Sequence, residues 1–302
     1  MRQATTGTLL VLGAAAGFGT IGIFGELAIA AGLSLSTLLP ARFALATAFV
    51  LALAAGGRWG LPDTGRQWAA TLALGVVYTG LTLAYFASLD YLTAGLATVV
   101  LYTYPAFVVV LSAATLDESV STATLAALGC SLAGVVLIVG VDPAGVSLTG
   151  VALALVAAGC YAVYTVGSRT VVASLAPRSL MSGALVGTTV SMTVFGALAD
   201  GLALPAGTEQ WGIVVGIAVV GTVLPLVLFY EGVERLAASR VGIVSTVEPL
   251  VTVALGAIVL DERITPGLLA GGTLVLVGVV LVQRDRGDGR PPSDAGAADR
   301  GS

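Results

Sequence analysis

Apolar residues in this chain come in long, nearly unbroken runs. Ten of them, about 18–24 residues each, cover residues 8–31, 35–55, 69–88, 94–116, 122–141, 148–168, 179–199, 211–230, 239–260 and 266–283. A helix of that length crosses the roughly 30 Å of bilayer hydrocarbon. Strands of a membrane barrel would be about 9–11 residues long and alternate apolar with polar; these runs neither alternate nor stop that early. The pattern predicts an all-α membrane protein with ten transmembrane helices. The first run lacks a compact charged n-region, is about twice a typical signal-peptide core and is followed by nine more, so it reads as a retained helix.

The polar punctuation of the runs repeats. Residues 94–120 read AGLATVVLYTYPAFVVVLSAATLDESV and residues 238–264 read ASRVGIVSTVEPLVTVALGAIVLDERI, aligned without a gap at an offset of 144. Pro105 falls on Pro249, Asp117 and Glu118 fall on Asp261 and Glu262, and GVVLI from Gly134 falls on GVVLV from Gly278. Apolar composition alone would not keep proline and two acids in register. The turn sequence DPAGVSL at 142–148 divides the runs five and five, giving a first repeat over 1–143 and a second over 144–283. Because five is odd, the second copy enters the membrane from the opposite side, and the repeats are inverted. Residues 284–302 combine Pro, Gly and charge without apolar periodicity and read as a disordered tail.

Composition agrees with the pattern: 57% of the 302 residues are hydrophobic and 10% charged, against about 25% charged in an ordinary soluble domain. The charge distribution adds orientation. Cytoplasmic loops carry the excess of Arg and Lys. With the N-terminus inside, the inner side collects Arg2, Arg58, Arg66, Arg169, Arg178, Arg235, Arg240, Arg284, Arg286, Arg290 and Arg300, while Arg263 alone is outside and Arg42 lies within a run. Both termini are therefore expected in the cytoplasm and the protein in the cell membrane. The chain has no Lys and no His, which removes a P-loop, HExxH zinc chemistry and every His-dependent triad. GFGTIG at 17–22 fits a dinucleotide fingerprint only formally, since it lies inside an apolar run. No cofactor, metal or nucleic acid is expected. Cys130 and Cys160 lie in runs and read as packing residues, and glycines such as Gly13, Gly17 and Gly25 as close helix contacts.

Few residues within the runs can do chemistry. Glu248 lies about nine residues into its run, near mid-membrane, where a charged carboxylate costs at least about 2.5–3.5 kcal/mol and so faces protein or water, or carries a proton. Two readings stand: a proton carrier, or a neutral hydrogen-bond donor that fixes packing. Its repeat mate is Tyr104. Tyr102 and Tyr104 are two apart, on different sides of a regular helix, and Tyr104 is the one expected in a cavity. Pro105 and Pro249 each remove a backbone donor, freeing the carbonyls of Leu101 and Ser245 and kinking their helices; the carbonyls are ready ligands, or the kinks serve shape alone. Arg42 and Glu26 lie at similar depths from one end of their runs, which makes a structural pair the expected arrangement and a bidentate contact from Arg42 to a substrate carboxylate the alternative. Tyr78 is a polar aromatic in mid-run. The two Asp-Glu pairs precede helices five and ten, where acids suit the helix dipole and Thr265-Pro266 reads as cap and first turn.

GFGTIGIFGELAIAAG at 17–32, LLPARFALA at 38–46, YTYPAFVVVLSAATLDE at 102–118 and VEPLVTVALGAIVLDE at 247–262 together resemble the drug/metabolite transporter superfamily, EamA-type, over nearly the whole chain. The resemblance implies ten helices around a central cavity and export or exchange of small metabolites such as amino acids and related compounds. In inverted-repeat folds the substrate site lies near mid-membrane between the repeats, which is where Glu248 falls. The expected protein is a secondary transporter, not an enzyme, with Glu248, Tyr104, Tyr78 and Arg42 in its cavity. The expected partners are a small-molecule substrate and the lipid bilayer, with a homodimer left open. The alternative is a passive channel, an intramembrane enzyme or a lipid-binding membrane protein.

Overall fold

The computed structural model describes residues 2–57, 59–116, 122–141, 146–172, 174–199, 201–236 and 238–288. Asp117, Glu118 and most of the predicted boundary between the halves lie outside these. Among the described residues ten helical spans follow one another: α1 (Arg2–Phe18 and Ile21–Ala30), α2 (Leu35–Ala55), α3 (Gly65–Ser88), α4 (Ala94–Leu101 and Tyr104–Leu116), α5 (Thr122–Val141), α6 (Leu148–Val172), α7 (Pro177–Ala199), α8 (Gly207–Ala218, a π-helical segment Val219–Val223, and Leu224–Val233), α9 (Ala238–Ser245 and Val247–Val259) and α10 (Pro266–Asp288). Among the described residues, nine are long and apolar enough to cross a membrane, and α5 carries the shorter apolar stretch Leu125–Gly140. Ten crossings bring the start of α1 and the end of α10 to the same side, called here the termini side. The last helix runs to Asp288, so residues 284–288, predicted as tail, continue a helix that backbone hydrogen bonding extends past the apolar run. Residues 289–302 lie outside the described ones.

Several starts are set by local chemistry. Thr64 and Gln67 form a reciprocal capping box at α3, which satisfies backbone donors that the first turn leaves unpaired. Thr93 accepts from the Leu96 N–H at α4 and Thr265 from the Leu268 N–H at α10, with Pro266 in the first helical position, where its missing N–H costs nothing.

Packing follows the repeat. With span n of the first half matched to n+5 of the second, α3 packs on α6 as α8 packs on α1, and α4 packs on α6 as α9 packs on α1. The spans α2, α4 and α5 pack on their own mates α7, α9 and α10. Those pairings are what a pseudo-two-fold axis in the membrane plane requires. At the α5–α10 crossing the symmetry reaches single atoms: a Cβ at Gly134 would lie 2.6 Å from the Gly271 carbonyl oxygen, and a Cβ at its mate Gly278 would lie 2.7 Å from the carbonyl oxygen of Ala127, the mate of Gly271. Helices lacking a hydrophobic drive to associate in lipid gain by such close backbone approach.

The spans α4 and α9 are interrupted just before Pro105 and Pro249, at residues 102–103 and at Thr246. On the side opposite the termini the two repeats are tied by Glu262. Its carboxylate accepts from the N–H groups of Ala94 (2.8 Å) and Gly95 (3.3 Å), the first turn of α4. Asp261 makes this reach possible, turning the chain at φ 55°. The acid expected to complement the helix that follows it thus complements a helix of the other repeat, because the left-handed turn at Asp261 directs Glu262 back across the interface.

Candidate functional site

A cavity of about 450 Å³ lies between the repeats, within the usual range for small-ligand pockets. Its walls come from α1 to α4 and α6 to α9, with Gln283 added from α10. On the termini side the lining reaches the helix ends at Val172, Pro177, Val241 and Gln283. Toward the other side it stops at a floor formed around Arg42, Tyr85 and Thr98, beyond which Glu262 holds α4.

The break in α9 places Glu248 in this cavity at the first turn of the second segment. Pro249 lacks the N–H that would have engaged the Ser245 carbonyl, and the Tyr102 hydroxyl lies 2.9 Å from both that carbonyl and Glu248 Oε2. A single phenol from the first repeat therefore joins the interrupted backbone of the second to its carboxyl group. Tyr102 is the residue passed over at the sequence level. Tyr102 and Tyr104 would point apart on a regular helix, but the chain between them is a turn, and both line the cavity, their rings 6.0 Å apart. Tyr104 stacks on Tyr161 at 4.1 Å.

Arg42 is buried in α2, 2% exposed, and lines the cavity floor. Its Nε donates to Thr222 Oγ1 at 2.9 Å, and its guanidinium carbon lies 4.8 Å from the Phe43 ring centre and 5.8 Å from that of Phe86, within cation–π range. Glu26 is not its partner: no ion pair joins the two. Similar depth fixed height but not direction. The helix α2 packs chiefly on α7 and α8, while the Ile21–Ala30 segment of α1 packs on α4, α8 and α9, and Arg42 is turned to Thr222 on α8.

Tyr78 lines the cavity, edge-on to Phe43 at 6.0 Å and to Tyr164 at 5.4 Å. Two stripes went unread in the sequence. Tyr161, Tyr164, Thr165 and Ser168 on α6, at helical spacing i, i+3, i+4, i+7, all line the cavity, as do Tyr78, Thr82 and Tyr85 on α3. Polar groups at that period on an otherwise apolar helix mark one face. Among the described residues no three of His, Cys, Asp or Glu come together as a metal site would need. Among the described residues the lining offers one cation, one carboxyl and a wall of tyrosines, suited to binding a small polar molecule.

The model of the EamA-like transporter family matches residues 5–140 and again 148–284. The chain belongs to the EamA-like transporter family. As an EamA-like transporter it carries two copies of the family unit in a multi-pass membrane protein. It is 29% identical over 197 residues, 65% of this chain and 70% of the other, to an uncharacterized transporter of Archaeoglobus fulgidus. It is 29% identical over 238 residues, 78% of this chain and 77% of the other, to the threonine/homoserine exporter RhtA of Escherichia coli K12. A solved crystal structure at 21% identity superposes with a TM-score of 0.65 over 92% of this chain and 96% of the other, a likeness of fold.

Proposed function

We propose that this EamA-like transporter moves small amino-acid-like metabolites across the cell membrane by alternating access, as an exporter or exchanger, with Glu248 carrying the coupling proton. The observation that carries the reading is the placement of Glu248: a carboxyl group beside a helix break, in the cavity between inverted repeats, hydrogen-bonded to a tyrosine of the opposite repeat. Such a group can exchange a proton with the aqueous cavity in one conformation and hold it through the transition to the other. The similarity to a threonine/homoserine exporter supports the substrate class. The arginine distribution supports cytoplasmic termini; with that orientation the cavity reaches the cytoplasmic side, as loading for export requires.

The test is flux in liposomes. Purified protein should exchange labelled L-threonine or L-homoserine against unlabelled substrate, and a proton gradient should drive net accumulation. A passive channel would only equilibrate its solute, and no flux of either compound would remove the proposed substrates. For topology, a cysteine replacing Asp294 should react with an impermeant thiol reagent in inside-out vesicles and not in intact cells; ready labelling of intact cells would reverse the orientation.

A further inference from the structure

The cavity floor carries a feature that transport alone does not explain. Arg42 is almost fully buried, yet among the described residues only its Nε has a hydrogen-bonding partner, the Thr222 hydroxyl. Its two terminal nitrogens have neither a hydrogen bond nor an ion pair there, and the residue lines the cavity. An arginine this deep is costly, and cation–π contact with Phe43 and Phe86 offsets part of that cost without occupying an N–H group.

Thr222 is itself held in an unusual way. It belongs to the π-helical segment of α8, and its hydroxyl donates to the Ile217 carbonyl five residues back at 2.9 Å. Pro225, which opens the following helix, cannot donate to the carbonyl of Gly221, so the regular ladder lapses there. With its one proton committed to Ile217, the Thr222 oxygen can only accept from Arg42. The hydroxyl thus fixes the Nε edge of the guanidinium and leaves the edge bearing Nη1 and Nη2 open.

We infer that Arg42 is a carboxylate-binding subsite, engaging the carboxylate end-on through both terminal nitrogens, and that Thr222 is the positioning residue that imposes this geometry. The planar fork of arginine matches a carboxylate with two parallel hydrogen bonds. Charge narrows the ligand further. Arg42 is the sole cationic residue among the described residues lining the cavity, so it balances one negative charge, a monocarboxylate and not a phosphate dianion. With Glu248 in the same cavity, a zwitterion is held at one pole by Arg42 and approaches the carboxyl of Glu248 with its ammonium. The inference rests on the proposed transport of amino-acid-like metabolites and deepens it by assigning the carboxylate pole.

The experiment measures thermal stabilisation of the full-length purified protein by the twenty common L-amino acids. The strongest stabiliser is then compared with its decarboxylated amine and its deaminated acid, and all twenty deaminated acids are screened in parallel. The amino acid should bind at least tenfold more weakly to Thr222→Val and to Arg42→Lys, which keeps the charge but loses the fork. Thr222→Ser should stay within threefold of the wild type, and the affinity for the amine should change less than twofold in Thr222→Val. A purely structural Thr222 would leave the ratio of amino-acid to amine affinity unmoved. An unchanged ratio in Thr222→Val and Arg42→Lys, with exchange in liposomes intact, overturns the subsite while leaving the transport reading in place. Stabilisation by a deaminated acid and by no amino acid, sensitive to Arg42→Lys, upholds the subsite and overturns the amino-acid reading. Stabilisation by none of the compounds overturns both. Should Thr222→Val fail to fold, Arg42→Lys decides.

Discussion

The breaks at residues 102–105 and 246–249 are repeat mates built from the same device and put to different uses. Each interrupts a span just before a proline. In the second repeat the proline is preceded by Glu248 and the freed Ser245 carbonyl is taken up by Tyr102. In the first it is preceded by Tyr104, whose ring stacks on Tyr161. Helix pairing and the glycine contacts of α5 and α10 follow the two-fold relation, while the chemistry at the breaks departs from it. The backbone framework therefore follows from the repeat, and the single carboxyl group of the two breaks marks where the halves specialised.

Repeat mates in the framework should respond alike to the same substitution, and the effect there should be the largest. Leucine at Gly134 or at Gly278 puts a side chain against backbone atoms that cannot move aside, and each should lower stability by more than about 3 kcal/mol, beyond ordinary overpacking. Melting temperatures of the two variants test this, and tolerance of either would show that the crossing is not symmetric in energy. Tyr102→Phe acts at the asymmetric part. It leaves the Ser245 carbonyl and the Glu248 carboxyl without their shared hydroxyl and should cost about 1–3 kcal/mol, the range for a buried group left unsatisfied, and slow exchange about tenfold.

A smaller effect is expected at the tie between the repeats. Glu262→Gln retains one acceptor for the N–H groups of Ala94 and Gly95 but removes the charge that favours a helix N-terminus, and should lower stability by about 0.3–1 kcal/mol. Tyr104→Phe keeps the ring stacked on Tyr161 and leaves Glu248 its contact with Tyr102, and should slow exchange less than Tyr102→Phe does. A loss as large as that of Tyr102→Phe would mean that both breaks carry polar function and that the contrast between them is overstated.

Much of the framework was legible in the sequence because lipid imposes length and continuity on every span, and because Pro105, Pro249 and the two Asp-Glu pairs keep the register of the repeat. The residues with the highest cost in a membrane, Glu248 and Arg42, were legible for the same reason, and both line the cavity. Partners were not. Pairing Arg42 with Glu26 used depth along the chain, whereas α2 turns its arginine toward Thr222 on α8, a direction set by packing that no single span encodes. Choosing Tyr104 over Tyr102 assumed an unbroken helix at the very place where proline made a break expected. The tyrosine stripe on α6 could have been read from its spacing, and the π-helical segment at Thr222 could not, since it arises from Pro225 acting within the packed bundle.

Replacement of Glu248 by glutamine separates proton coupling from substrate exchange. The amide matches the protonated acid in size and can still hydrogen-bond to Tyr102. Reconstituted Glu248→Gln should exchange labelled for unlabelled substrate at a rate comparable to the wild type while failing to accumulate substrate when a proton gradient is imposed. Proton-driven accumulation at the wild-type level by this variant would contradict the account.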